Sequence, residues 1–191
     1  MDEIKLEATA ILGGADITIA GNRIIERYDL AMVSVATPLG GDSALKRALK
    51  AGNGLGMPSA TRSTTSKNGM RAVNTAPDQM LLVFAHSTPD AEHHVRTGLK
   101  ETGYTTDQTD SLVAIEISGP DTMAAMERLC PLDLHPDNFG TDMASRTVME
   151  HMATTIICLA DAHFLLLAAS SSGLSFLHAI ETSYRNVTSS A

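Results

Sequence analysis

Short apolar runs separated by Gly, Pro, Ser and Thr alternate along this chain with segments whose apolar residues recur at helical spacing. Residues 1–23 have weak periodicity and two glycine breaks, Gly13-Gly14 and Gly21-Asn22, and read as an arm or a loosely attached strand. Ile24-Ile25 and residues 30–35 form the first clear strand region. Gly40-Gly41 breaks it, Asp42 or Ser43 can cap a helix through Leu45 and Leu49, and the glycines at 52, 54 and 56 end that helix. The Ser/Thr-rich stretch 58–69 reads as an exposed loop. Residues 69–75 and 79–85 read as two strands around an Ala76-Pro77-Asp78 turn. Thr88-Pro89-Asp90 starts a helix expected to reach about residue 101.

Residues 112–118 are the clearest strand, and Gly119-Pro120-Asp121 turns it into a helix that Pro131 ends. Three strands follow, at 143–150, 153–159 and 163–168, and a last helix covers 171–183. The order strand, helix, hairpin, helix is therefore followed by strand, helix, sheet strands, helix, which predicts an α/β (α+β) fold of duplicated βαββα units, with antiparallel or mixed sheets and helices packed on one face. The expected organisation is an arm over 1–23, one domain over 24–185 and a frayed tail over 186–191.

Composition narrows the function. Of 191 residues, 43% are apolar and 19% charged, enough for a filled core. The net charge of −8 argues against nucleic acid or an anionic membrane as partner. The N-terminus has no apolar signal region, and the longest apolar run is interrupted by Asp161 and His163, so a soluble cytoplasmic protein is expected. Two cysteines, Cys130 and Cys158, sit among apolar residues and read as buried thiols.

No catalytic set emerges. Gly52-x-Gly54-x-Gly56 follows a helix and precedes Pro58, whereas a dinucleotide loop follows a strand and opens a helix. His93 and His94 are adjacent, and no other pair among the histidines has metal-ligand spacing. The serines at 170–172 lack a nucleophile elbow and cap the last helix more simply. Cys130 with His135 is the one nucleophile pair worth testing. The segment Cys130-Pro131-Leu132-Asp133-Leu134-His135-Pro136 stands apart, because two prolines fix an extended path with alternating apolar and polar residues. It either anchors a crossover within its own domain or lies at a subunit interface.

That segment, with Ser118-Gly119-Pro120-Asp121 before it and Phe139 and Arg146 after it, resembles the gamma subunit of heterotetrameric sarcosine oxidase. Pro77-Asp78-Gln79-Met80 with the strand after it, and Phe164 through Leu177, follow the same family's order, with Met80 and Phe176 where the family has tryptophans. The resemblance implies a fold like the folate-binding domain of the glycine-cleavage T-protein. It further implies a non-catalytic subunit of a flavin-dependent sarcosine (N-methyl amino acid) oxidase complex, with a role in assembly and in shaping a passage between sites. Catalytic, cofactor and metal residues are then expected to be none in this chain. FAD, FMN, NAD and tetrahydrofolate would sit on partners, namely alpha and beta subunits and a small zinc-binding delta subunit. An isolated chain would expose its contact surface and could self-associate. The alternative is a free-standing tetrahydrofolate-binding module.

Overall fold

The computed structural model describes residues 9–86 and 88–189. Two antiparallel sheets pack face to face, and each carries two helices on its outer face. β1 (Asp16–Ile19), β2 (Asn22–Glu26), β8 (Leu112–Ser118), β9 (Ala144–Met149), β10 (Met152–Ala160) and β11 (His163–Ala169) build a six-stranded sheet in the order β1-β2-β8-β11-β10-β9. β3 (Leu30–Ala36), β4 (Ser63–Thr65), β5 (Arg71–Ala76), β6 (Gln79–Ala85) and β7 (Tyr104–Asp107) build a five-stranded sheet in the order β4-β5-β6-β3-β7. α1 (Asp42–Asn53) and α2 (Ala91–Gly98) cover the smaller sheet; α3 (Thr122–Glu127) and α4 (Gly173–Thr188) cover the larger.

Alternation along each strand divides the apolar side chains among three layers. Val113, Ile115 and Ile117 of β8 face α3 and α4, where they meet Met126, Phe176 and Tyr184. Val33 and Val35 of β3 face α1 and α2 and meet Leu45, Leu49 and Val95. Met32, Val83, Ala114, Ile157 and Leu165 fill the space between the sheets.

The duplication expected from the order of elements is the plan of the fold. β3-α1-β4-β5-β6-α2 repeats as β8-α3-β9-β10-β11-α4, with strands in corresponding places in the two sheets. The halves also exchange strands: β7, just before the second unit, pairs with β3 of the first, and β2, just before the first, pairs with β8 of the second. This exchange makes one body of two units. At the far edges, Arg71 Nη1 lies 2.6 Å from Asp142 Oδ1, and Arg62 bridges Met143.

Several boundaries differ from the sequence reading. The stretch 58–69 contains the edge strand β4, because Ser63–Thr65 finds backbone partners in Arg71–Val73. Residues 104–107, which show no apolar pattern, form β7 against β3. Part of the expected arm is sheet: β1 and the start of β2 precede residue 24, joined at Ala20 and Gly21, both at positive φ as a primed hairpin turn requires. α2 ends at Gly98, and α4 continues to Thr188 because Tyr184 is fully buried in the helix layer. Residues 1–8 of the expected arm and 190–191 of the expected tail lie outside the described residues. Gly41, rather than Asp42 or Ser43, occupies the N-cap of α1. Gly52 lies inside α1, where an added Cβ would stand 2.2 Å from the Gly98 carbonyl oxygen, so the two helices cross there backbone to backbone.

Candidate functional site

The turn after β8 is locked from a distance. Asn22 is fully buried; its Nδ2 donates to Asp121 Oδ2 at 2.9 Å and to Ile19 O at 3.1 Å, and its Oδ1 accepts the Asp121 N–H at 2.8 Å. All three polar contacts reach a side chain removed from water, as a buried amide requires. Gly119 sits at φ +135°, and a Cβ there would lie 2.5 Å from Asn22 Oδ1 and 2.6 Å from Asn22 Cα. The Ser118–Asp121 turn therefore depends on Asn22, which the sequence reading treated only as part of a chain break.

The segment from Cys130 to Pro136 has two sides. Cys130 and Leu134 are buried and Leu132 is half-buried against the same cluster, while Pro131, Asp133, His135 and Pro136 are exposed. The turn is held by Asp133, whose Oδ1 accepts the His135 N–H at 3.0 Å and whose Oδ2 accepts Asn138 Nδ2 at 2.5 Å. These bonds, the His135 N–H first, hold the Asp133 carboxyl below its usual range. The His135 carbonyl accepts the N–H groups of Asn138 and Phe139, both at 2.8 Å. Phe139 is thereby turned inward toward Phe164, their ring centroids 6.5 Å apart. A cavity of about 270 Å³ lies beneath, lined by Met123, Leu134, Phe139, Cys158 and Phe164 among others.

Cys130 and His135 do not meet. Cys130 Sγ accepts the Leu132 N–H at 3.4 Å, and the His135 ring lies 3.5 Å from Asp137, exposed to solvent. Burial raises the pKa of both Cys130 and Cys158, opposite to what a nucleophilic thiol requires.

A larger cleft of about 620 Å³ opens between the sheets where β3 and β8 begin. Leu30, Met32, Leu112 and Ala114 form its apolar floor, and Arg27, Tyr28, His86, Thr88, Asp107 and Asp110 lie around it. Residues 9–11 supply one wall, held through Glu26, whose carboxylate accepts the N–H groups of Leu12 at 2.8 Å and Gly14 at 2.7 Å. Arg27 is fixed by Asp29 at 2.8 Å and by Glu116, which also binds His163 Nε2 at 2.8 Å. His86, Thr88 and Asp90 are in mutual contact and look like a nucleophile, base and acid. However, the same ring nitrogen, Nε2, faces both Thr88 Oγ1 and Asp90 Oδ1 at 2.8 Å. A relay needs both ring nitrogens, so this arrangement cannot pass a proton along. Hydrogen bonds from Thr88 and then His86 lower the Asp90 pKa to about 2. Among the described residues, no group of three or more His, Cys, Asp and Glu could hold a metal ion.

The chain as a whole has similar counterparts among known proteins. The chain is 28% identical to the sarcosine oxidase gamma subunit of Corynebacterium sp. (strain U-96) over 140 residues, covering 70% of this chain and 66% of that one. The chain resembles the gamma subunit of sarcosine oxidase. It spans just under two thirds of that relative and 54% and 55% of two other gamma subunits, from Corynebacterium sp. (strain P-1) and an Arthrobacter species. No family model matches it. In fold it is similar to a chain of the heterotetrameric sarcosine oxidase of Corynebacterium sp. U-96, with a TM-score of 0.75, 21% identity and 86% of this chain aligned to 84% of that one. The glycine cleavage system aminomethyltransferase T of Bartonella henselae shares the fold more distantly, with a TM-score of 0.57, 10% identity and 84% of this chain aligned to 45% of that one. Met80 and Phe176, which stand where the gamma resemblance leads one to expect tryptophan, are both buried. No described helix is long and apolar enough to cross a membrane.

Proposed function

We propose that this chain is a non-catalytic, gamma-type subunit of a cytoplasmic, flavin-dependent oxidase complex acting on sarcosine or a related N-methyl amino acid. The observation that carries the reading is its similarity to sarcosine oxidase gamma subunits over 70% of its length. Its role is assembly, and through assembly the shaping of a passage between sites on other subunits. The unit that does this is the body over residues 24–185. FAD, FMN, NAD and tetrahydrofolate belong to the partners in this reading, which are alpha- and beta-type subunits with a small zinc-binding delta subunit. The exposed side of the Cys130–Pro136 segment (Pro131, Asp133, His135 and Pro136) is a contact surface; Cys130 and Leu134 support it from the core, with Leu132 half-buried beside them.

Co-expression with the alpha- and beta-type flavoprotein subunits of a sarcosine oxidase tests the proposal. One stable complex containing this chain is expected, and a chain that purifies alone from such cells overturns the reading.

A free-standing tetrahydrofolate-binding module is the second reading, favoured by the cleft of about 620 Å³, a volume suited to a small ligand. Its walls fit that ligand poorly. Asp107 and Asp110 would face the carboxylates of a folate tail, and Arg27 is already held between two acids. Calorimetric titration with tetrahydrofolate decides it, and absence of heat and of thermal stabilisation disposes of the reading.

A further inference from the structure

The two sheets correspond strand for strand until their last position. β3 and β8, which open the two units, have seven residues each and the same order of buried and half-buried positions. Matching their fourth residues, Val33 and Ile115, places Asp107 (opposite Val33) on Glu26 (opposite Ile115). Matching their sixth, Val35 and Ile117, places Thr105 on Ile24. In the six-stranded sheet the outer edge of β2 is covered by β1, whereas in the five-stranded sheet the outer edge of β7 is uncovered among the described residues. The chain just before β7 cannot fill the place, because it is α2 and its exit loop.

The backbone of β7 is set for a further strand. Gln108 N–H donates to Met32 O at 2.7 Å, so Gln108, Thr106 and Tyr104 turn their backbone groups toward β3. Thr105 and Asp107 consequently turn theirs outward. Their counterparts in the other sheet use those same groups to hold β1: Glu26 N–H donates to Ala15 O at 2.7 Å, and Ile24 stands opposite Ile17.

We propose that the free edge of β7 receives one extended segment of a partner subunit as the sixth strand of this sheet. The inference rests on the assembly reading and names where one partner attaches. Addition of a strand supplies main-chain hydrogen bonds, and the flanking side chains select the sequence. Asp107 belongs to this edge strand, and Glu92 of α2 hydrogen-bonds Thr105 beside it. In a chain of net charge −8, a second copy would bring the same acids together. The occupant is therefore a segment of a different chain, with a Lys or Arg facing Asp107. Tyr104, 70% exposed, offers an aromatic surface on the opposite face of the strand.

Amide hydrogen exchange in the free chain and in the complex with its co-expressed flavoprotein subunits tests this. The Thr105 and Asp107 amides are expected to exchange rapidly in the free chain and to slow by about tenfold or more in the complex. Thr105→Pro removes an outward N–H and spares the bonds to β3, so it should weaken assembly by about tenfold while the free chain still unfolds cooperatively; Thr105→Val should assemble as wild type. A complex that forms with both amides still exchanging rapidly overturns the strand-addition proposal and leaves the assembly reading standing. So does a folded Thr105→Pro chain that assembles normally, and if that variant does not fold the exchange measurement decides alone. A chain that never joins flavoprotein subunits overturns both. Protection of these amides in the isolated chain with a doubled mass identifies a second copy as the occupant and overturns the proposal.

Discussion

Asn22 and Asp121, 99 residues apart in sequence, share two hydrogen bonds: Nδ2 to Oδ2 at 2.9 Å, and the Asp121 N–H to Oδ1 at 2.8 Å. The pair ties the turn between β8 and α3 of the second unit to the hairpin that precedes the first. Replacing Asn22 with Ala leaves a buried N–H and a carboxylate without their partner, and should cost about 2–3 kcal/mol in urea unfolding. Gly119→Ala should cost about 3 kcal/mol or more, because it combines positive φ with a backbone clash. The double variant should show no rescue, since the Asn22 Cα, 2.6 Å from the added Cβ, is retained in Ala. Recovery of stability in the double variant would place the conflict in the side chain instead.

The Cys130–Pro136 segment predicts two separable phenotypes. Leu134→Ala removes a buried side chain and should destabilise the isolated chain by about 2–4 kcal/mol. His135→Ala alters an exposed ring and should change stability by less than about 0.5 kcal/mol while weakening assembly. Thermal unfolding and co-purification, measured side by side, distinguish the two.

The thiols should be inert in the folded chain. Burial raises the pKa of Cys130 and Cys158 alike, so a disulfide reagent at neutral pH should react slowly with both and rapidly once urea unfolds the protein. A fast native phase lost in Cys130→Ser would revive the nucleophile reading.

Glu116 carries a pH signature. Burial opposes its ionisation, but the hydrogen bonds from His163 and Arg27 outweigh burial and bring its pKa below 4.5. A carboxyl group with a depressed folded pKa contributes stability above its unfolded value, and that stability is lost as pH falls through the folded value. The urea midpoint should therefore drop as pH falls below about 4.5, and Glu116→Gln should flatten that part of the profile.

Tyr184 acts at the other extreme. Burial, partly opposed by its hydrogen bond with Thr122, raises its pKa from 10.0 to about 12. A folded pKa above the unfolded one gives stability that is full below pH 10 and lost as pH rises toward 12. Absorbance at alkaline pH should show one late-ionising tyrosine, and Tyr184→Phe should remove that phase.

The strands legible in the sequence were those that bury a face. Residues 112–118, and the hairpin strands around residues 77 and 161, carry enough Val, Ile, Leu and Phe to be recognised without a partner. β4 and β7 were not legible, because Ser63–Thr65 and Tyr104–Asp107 are polar and are extended only because β5 and β3 offer backbone bonds. The end of α4 was misread for a related reason: Tyr184 and Val187 pack into the helix layer, but polar neighbours hide the pattern. At the candidate site, the rigid path of 130–136 followed from its two prolines. Which of its residues face inward did not, since Leu132 and Leu134 look equivalent until Phe139 and Phe164 are placed beside them.

By itself the sequence determined the repeated order of elements, the apolar faces of the central strands and the absence of a recognisable catalytic motif, because these depend on local spacing and residue chemistry. Only the tertiary structure decided that the two units exchange β2 and β7, that Asn22 holds Asp121, and that among the described residues the edge of β7 lacks the cover β2 has. Each of these is a pairing between segments far apart in the chain. A backbone N–H carries no mark in the sequence of which distant carbonyl it will meet, so such pairings are fixed only when the sheets and helices close around a shared core.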